Sequence, residues 1–192
     1  MRLEDVKNGA RKIESYYNVY ENHFSQIRER KIRILEIGVQ GGGSLQMWRD
    51  YFPNSEVVGL DVCSYIPGVF GPRITTIQGD QADTDLLKTL TGFDIIIDDG
   101  GHTMKQQQTS FDILFPLLNG GGIYVIEDLH TSFYRDFKDI DTLTTNMIAD
   151  LMVQVNMSAF DTPRGDKNMK PAKDLSISEI HSYPSITLIY KK

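Results

Sequence analysis

Five short apolar runs, alternating with stretches of helical periodicity, constrain this chain more than any other feature. They are "IRILEIGV", "EVVGLDV", "ITTIQGD", "DIIIDDGG" and "IYVIED", and each closes on glycines or acids. Runs this apolar belong to strands covered on both faces, and strands that alternate with helices pair in parallel. The intervening segments "SLQMWRDYF", "TDLLKTLT" and "MKQQQTSFDILFPLL" read as helices, the first capped by Ser44. Before the first strand, "IESYYNVYENHFSQI" places Tyr16, Tyr20 and Phe24 four apart, which predicts an amphipathic helix within an N-terminal helical segment, 1–30. After the fifth, "TLTTNMIADLMVQVNM" reads as a helix, and the polar residues 158–175 as a loop that is either a mobile lid or disordered. The final runs "ISEIHSY" and "SITLIYKK" are separated only by the Pro184 region, too short for a crossover helix, so they predict an antiparallel hairpin on the sheet edge. The expected fold is α/β: a Rossmann-like, doubly wound, seven-stranded sheet, mostly parallel with a C-terminal antiparallel hairpin, in a single domain over residues 1–192.

Composition excludes several classes of function. A chain of 192 residues buries roughly 70% of its unfolded surface and needs no staple. Hydrophobic residues make up 40% and charged residues 24%, as in ordinary globular proteins, and no apolar run approaches the ~20 residues that span a bilayer. The opening "MRLEDVKNGARKIESYY" has no apolar core, so no signal peptide is expected. One cysteine, Cys63, excludes an internal disulfide and a cysteine-based zinc site and agrees with a reducing compartment, so a cytoplasmic protein is expected. A net charge of −6 without clustered Lys or Arg argues against nucleic acid. The expected partner is a small molecule, with neither membrane nor nucleic acid, and a homo-oligomer is left open.

Three successive strand exits fit parts of one nucleoside ligand. The first, "LEIGVQGGGS", offers Glu36, Gly38, Gly42, Gly43 and Ser44, where glycines admit a ligand close to the backbone and helix amides favour a carboxylate. By itself this loop is weak, because Gln40 stands where a strict G-x-G-x-x-G has glycine. The second exit carries Asp61, about twenty residues on, suited to ribose hydroxyls. The third, "QGDQAD", carries Asp80 and Gln81, suited to an adenine edge. Together they point to an adenosine-containing ligand. An NAD enzyme would keep the stricter glycine spacing and a parallel sixth strand; the acid in "LEIG" and the terminal hairpin resemble the class I methyltransferases that use S-adenosylmethionine (SAM).

The fourth and fifth exits are neighbours in a parallel sheet, which brings Asp98 and Asp99 of "DIIIDDGGH" to face Glu127 and Asp128 of "YVIEDLH". Four carboxylates so close require a cation or raised pKa values, and hard oxygen ligands select Mg²⁺, Mn²⁺ or Ca²⁺. The alternative is that some of these acids cap helices, Asp98 above all. His102, two glycines beyond Asp99, is the candidate general base, with His130 in reserve; His23 and His181 read as structural.

The segments "YYNVYENHF…IRILEIGVQGGGSLQMWRDYFP", "GDQAD", "DIIIDDGGH" and "GGGIYVIEDLHTS" resemble the metal-dependent sugar O-methyltransferases of macrolide biosynthesis, the macrocin and mycinamicin types, and their relatives that methylate rhamnose hydroxyls. The resemblance runs from Tyr16 to Asp128 and returns in the last hairpin. It implies Asp99, Glu127 and Asp128 as Mg²⁺ (or Mn²⁺) ligands and His102 as base; Asp98 is expected beside the glycine-loop residues among the SAM contacts. The resemblance also implies methylation of a hydroxyl on a rhamnose-like deoxyhexose of a glycoside or glycan. The long N-terminal auxiliary region of the macrolide enzymes, which helps to build their acceptor site, is not in this sequence. A catechol-type O-methyltransferase and a non-catalytic SAM-binding module are the alternatives; retention of the acids and histidine disfavours the second.

Overall fold

The computed structural model describes residues 1–157 and 176–192. The segment expected to be a lid or disordered lies outside the described residues. Seven strands, β1 (Arg33–Ile37), β2 (Glu56–Asp61), β3 (Ile74–Gln78), β4 (Ile95–Asp98), β5 (Ile123–Ile126), β6 (Ile177–Tyr183) and β7 (Ile186–Lys191), form one sheet in the order β3-β2-β1-β4-β5-β7-β6. The first five pair in parallel, and β7 runs antiparallel to both β5 and β6. The hairpin lies at the sheet edge as expected, and burial decides which of its strands is outermost. In β7 the first four residues are all buried, so it takes the inner place; in β6 most positions are exposed or partly exposed. Strand order reverses between β1 and β4, which opens a crevice at their carboxyl ends.

The period of two in each strand divides the core into two layers. Ile34, Ile95, Ile97 and Val125 face one side, where they meet α1 (Glu14–Phe24) and α2 (Gly43–Tyr51). Leu35, Ile37, Ile96 and Ile126 face the other, beneath α4 (Met104–Leu117) and α5 (Thr144–Met157). The aromatic stripe of α1 is core: Tyr20 and Phe24 meet the edge of Trp48 at centroid separations of 4.9 and 5.9 Å. The tyrosine hydroxyls on the same helix point onward to the site.

Two local expectations are corrected. Helix α2 begins at Gly43, with Gly42 at the cap in the left-handed region (φ 73°); Ser44 lies inside the helix and spends its hydroxyl on Glu36 Oε2 at 2.7 Å. The helix expected over "TDLLKTLT" is a single turn, α3 (Thr84–Leu87). Asp83 caps it by accepting from the amides of Asp85 and Leu86, but the Thr89 hydroxyl takes the Leu86 carbonyl at 2.7 Å and the turn goes no further.

His23, at the end of α1, fastens that helix to the hairpin. Its Nδ1 lies 2.7 Å from the Tyr190 hydroxyl, its Nε2 2.8 Å from the Tyr183 hydroxyl, and its ring 4.8 Å from that of His181, which pairs with Glu179. Burial and the neighbouring His181 hold its pKa below the usual histidine value, against the pull of Glu179. A histidine depressed on folding contributes stability present above the unfolded value of about 6.5 and lost as pH falls through the folded one. Urea unfolding midpoints are therefore expected to fall between pH 7.5 and pH 5, and less so in His23→Gln. Equal pH slopes in the two proteins would show that this contact carries none of the dependence.

Candidate active site

The strand exits enclose a cavity of about 910 Å³. Its floor is the loop after β1, where the backbone turns through left-handed conformations at Gly38 (φ 92°), Gln40 (φ 48°) and Gly42 (φ 73°). Gly38 is required on two counts: its φ disfavours a side chain, and a Cβ there would stand 2.1 Å from the Asp99 carbonyl oxygen. The loop is thus pressed against the exit of β4. Asp61, at the end of β2, accepts the Val39 amide at 2.7 Å, the Gln40 amide at 3.2 Å and the Cys63 amide at 2.9 Å. Burial pushes its carboxyl up, but these amides outweigh burial and hold it below the usual range. Asp61 stays charged and fixes the shape of the loop while lining the cavity.

Gly38, Gly43, Ser44, Asp61, Asp80 and Gln81 all line this space. Asp80 is exposed there, accepting the Ala82 amide at 2.8 Å. Gln81 is already committed: it donates to Asp98 Oδ1 at 3.0 Å and accepts the Gly101 amide at 2.7 Å, so it braces the turn that carries His102. Glu36 and Asp98, both read from sequence as cofactor contacts, are fully buried and do not line the cavity. Asp98 continues the phase of Ile96 and turns under α4, where the hydroxyls of Ser110 and Tyr124 donate to it. Burial pushes its pKa up to about 6, against the hydrogen bonds from Ser110 and Gln81.

The reactive corner lies where β4 and β5 end. Asp99, His102 and Asp128 each offer an atom, all within 4.8 Å of one another. His102 Nε2 lies 3.8 Å from Asp99 Oδ1 and 3.7 Å from Asp128 Oδ2, too far for direct hydrogen bonds. Its Nδ1 is buried and has no hydrogen-bond partner among the described residues. The imidazole is presented by a left-handed backbone (φ 58°), and the Thr131 hydroxyl grips its carbonyl at 3.1 Å. His130 is turned away, its Nδ1 2.6 Å from the Ser185 hydroxyl.

Glu127 falls outside the group of three. The left-handed turn at Asp128 (φ 56°) sends the two adjacent acids in different directions. Asp128 faces the cavity with its Oδ1 held by the Tyr16 hydroxyl at 2.9 Å, whereas Glu127 is buried and accepts from the Tyr20 hydroxyl and from Lys12 Nζ. Burial and then the Asp99 charge push its pKa up, against the Lys12 ammonium. Sequence reasoning missed Lys12, whose side chain is 1% exposed and which also reaches Glu36 at 3.0 Å and Asp99 at 2.9 Å. Burial lowers its pKa, but the charges of Asp99, Glu127 and Glu36 outweigh that and raise it, so it is an ammonium here. Tyr16 and Tyr20 were legible as a helical stripe; nothing local to "GARKIES" marks its lysine.

Strand order, antiparallel β7 and the glycine loop over the switch point define the class I methyltransferase fold. No family model matches the chain. It is 34% identical over 203 residues, 97% of its length and 53% of the relative's, to 8-demethyl-8-alpha-L-rhamnosyl tetracenomycin-C 2'-O-methyltransferase of Streptomyces olivaceus. It is 35% identical over 189 residues, 90% of its length and 47% of the relative's, to mycinamicin VI 2''-O-methyltransferase of Micromonospora griseorubida. Among solved structures it superposes with a TM-score of 0.87 and 30% identity on the MycE methyltransferase of the mycinamycin pathway in complex with Mg, SAH and mycinamycin VI, covering 100% of this chain and 53% of that one. The chain thus has the class I methyltransferase fold and is similar to sugar O-methyltransferases, and it spans about half the length of the curated relatives it matches.

Proposed function

We propose that this chain, as one methyltransferase domain, transfers a methyl group from SAM to a hydroxyl of a rhamnose-like deoxysugar, with a divalent cation, Mg²⁺ or Mn²⁺, at the acidic corner. The observation that carries the reading is the convergence of Asp99 Oδ1, Asp128 Oδ2 and His102 Nε2 on the cavity that the glycine loop floors. The residues fit both groups. Hard carboxylate oxygens on the rim suit Mg²⁺ or Mn²⁺, and a left-handed loop that exposes its backbone suits the amino-acid end of SAM. Asp99 and Asp128 would hold the ion, with Glu127 the third carboxylate beside them; the loop from Gly38 to Ser44, with Asp61 and Asp80, would hold the cofactor. Bound there, the ion lowers the pKa of a sugar hydroxyl and SAM supplies an electrophilic methyl.

This chain's own residues do the rest. His102 takes the hydroxyl proton on Nε2 as the oxygen forms its bond to the methyl carbon and the carbon–sulfur bond breaks. The products are an ether, a thioether and an imidazolium, so charge balances. Asp99 and Asp128, each within 4 Å of that nitrogen, stabilise the imidazolium as it forms. Gln81 and Thr131 hold the backbone of the turn that carries His102, through the Gly101 amide and the His102 carbonyl.

The test is a calorimetric titration with S-adenosylhomocysteine (SAH), with and without Mg²⁺, using NADH as control, followed by turnover on rhamnosides beside catechols. SAH binding without NADH binding, together with rhamnoside methylation that chelator abolishes, is the expected result. Turnover confined to catechols would replace the sugar with an aromatic diol, and absence of SAH binding would end the methyltransferase reading.

A further inference from the structure

The mechanism above leaves one buried charge unused. Lys12 approaches the acidic corner from the segment before α1, and its ammonium has three donors for three carboxylates. The contacts are Glu127 Oε1 at 2.6 Å, Asp99 Oδ2 at 2.9 Å and Glu36 Oε1 at 3.0 Å. The Trp48 ring lies 5.7 Å beneath it. The segment that delivers it is fixed. The Tyr17 hydroxyl holds the Ala10 carbonyl at 3.3 Å, and the Gly9–Ala10 backbone packs so closely on Gly43 that a Cβ there would meet the Ala10 nitrogen at 2.7 Å.

The oxygens that Lys12 and Tyr16 take are not those nearest His102. Lys12 pairs with Asp99 Oδ2, leaving Oδ1 on the His102 side, and Tyr16 takes Asp128 Oδ1, leaving Oδ2. The four acids Glu36, Asp99, Glu127 and Asp128 therefore form an inner half already occupied by an ammonium and an outer half open to the cleft. Without Lys12, the oxygens it holds on Glu36, Asp99 and Glu127 would be free to take a second cation, as paired-ion sites do.

Resting on the proposed function, we propose that Lys12 is a positioning residue that stays in place as the inner cation of this centre. It aims Glu36, Asp99 and Glu127, and it limits the site to a single divalent ion at the outer face.

The experiment is a calorimetric titration of Mn²⁺ into the wild-type chain and Lys12→Met, a change that preserves length and apolar stem while removing the charge. The variant is expected to bind one more Mn²⁺ per chain than the wild type; an unchanged count would overturn the proposal. In parallel, the wild-type chain is treated with an amine-reactive reagent and Lys12 is followed by mass spectrometry with and without saturating Mn²⁺. Persistent protection of Lys12 is expected, and a lysine that becomes reactive when the metal binds would overturn the proposal by showing that metal expels it. This arm uses no variant and so does not depend on how Lys12→Met folds. The wild-type count by itself tests the proposed function: zero would remove the metal from that reading, whereas the difference between the two proteins decides the role of Lys12.

Discussion

Replacement of His102 by asparagine is expected to lower methyl transfer by about 10²- to 10⁴-fold, the range over which a positioned general base contributes, while SAH affinity changes by less than about threefold. Asparagine is the informative substitution because residue 102 has a left-handed backbone, which Asn tolerates better than Ala. The turn itself is held by atoms that the substitution leaves intact: the Gly101 amide on Gln81 and the residue 102 carbonyl on Thr131. The substitution breaks no direct hydrogen bond of the imidazole, whose Nδ1 has no hydrogen-bond partner among the described residues and whose Nε2 lies 3.8 and 3.7 Å from the two aspartates. The decisive comparison is turnover at saturating substrates against SAH affinity by calorimetry. Parallel loss of both would make His102 a structural residue and leave the reaction without its base.

Gly38→Ala should produce the largest effect on stability. The substitution meets two independent penalties. A side chain at φ 92° costs on the order of 1–3 kcal/mol in backbone strain. The new Cβ would also fall 2.1 Å from the Asp99 carbonyl oxygen and 2.8 Å from its carbon, so backbone rather than a flexible side-chain tip must move. Overpacking of that kind adds roughly 1–3 kcal/mol. Because the displaced residue is Asp99, activity falls with stability: a shift of about 1 Å at a reacting centre costs on the order of 10²-fold in rate. Urea unfolding and turnover measured on the same preparation test both effects. A variant as stable as the wild type would mean that the glycine loop is not pressed against the exit of β4 in solution.

The fold was legible because its signals are local. A parallel strand buried on both faces has to be an apolar run, and "DIIIDDGG" could not be read as an amphipathic helix. The hairpin followed from two strands with no room for a crossover between them. The helix boundaries that failed did so through single side chains: Thr89 capturing the Leu86 carbonyl to end α3, and Ser44 preferring Glu36 to the cap of α2. Asp98 is an instructive intermediate case. Its phase with Ile96 placed it on the α4 face of the sheet, so its burial beneath Ser110 was readable from the period of two, yet its neighbour Asp99 made it look like part of the rim.

Sequence alone determined which residues stand at the strand exits, because in a parallel sheet the exits of successive strands share one edge whatever the side chains do there. It thereby brought Asp99, His102 and Asp128 to one corner. Tertiary structure alone decided how those acids divide their oxygens. Lys12 lies 87 positions from Asp99 and 115 from Glu127, and a buried ion pair at such separation leaves no periodicity or spacing to read. The left-handed turn at Asp128, which sends Glu127 inward and Asp128 outward, is likewise set by what packs around it: the hydroxyls of Tyr16 and Tyr20, delivered by a helix whose stripe is otherwise core. Strand exits are fixed by chain topology; the direction of a carboxylate is fixed by the partner it finds.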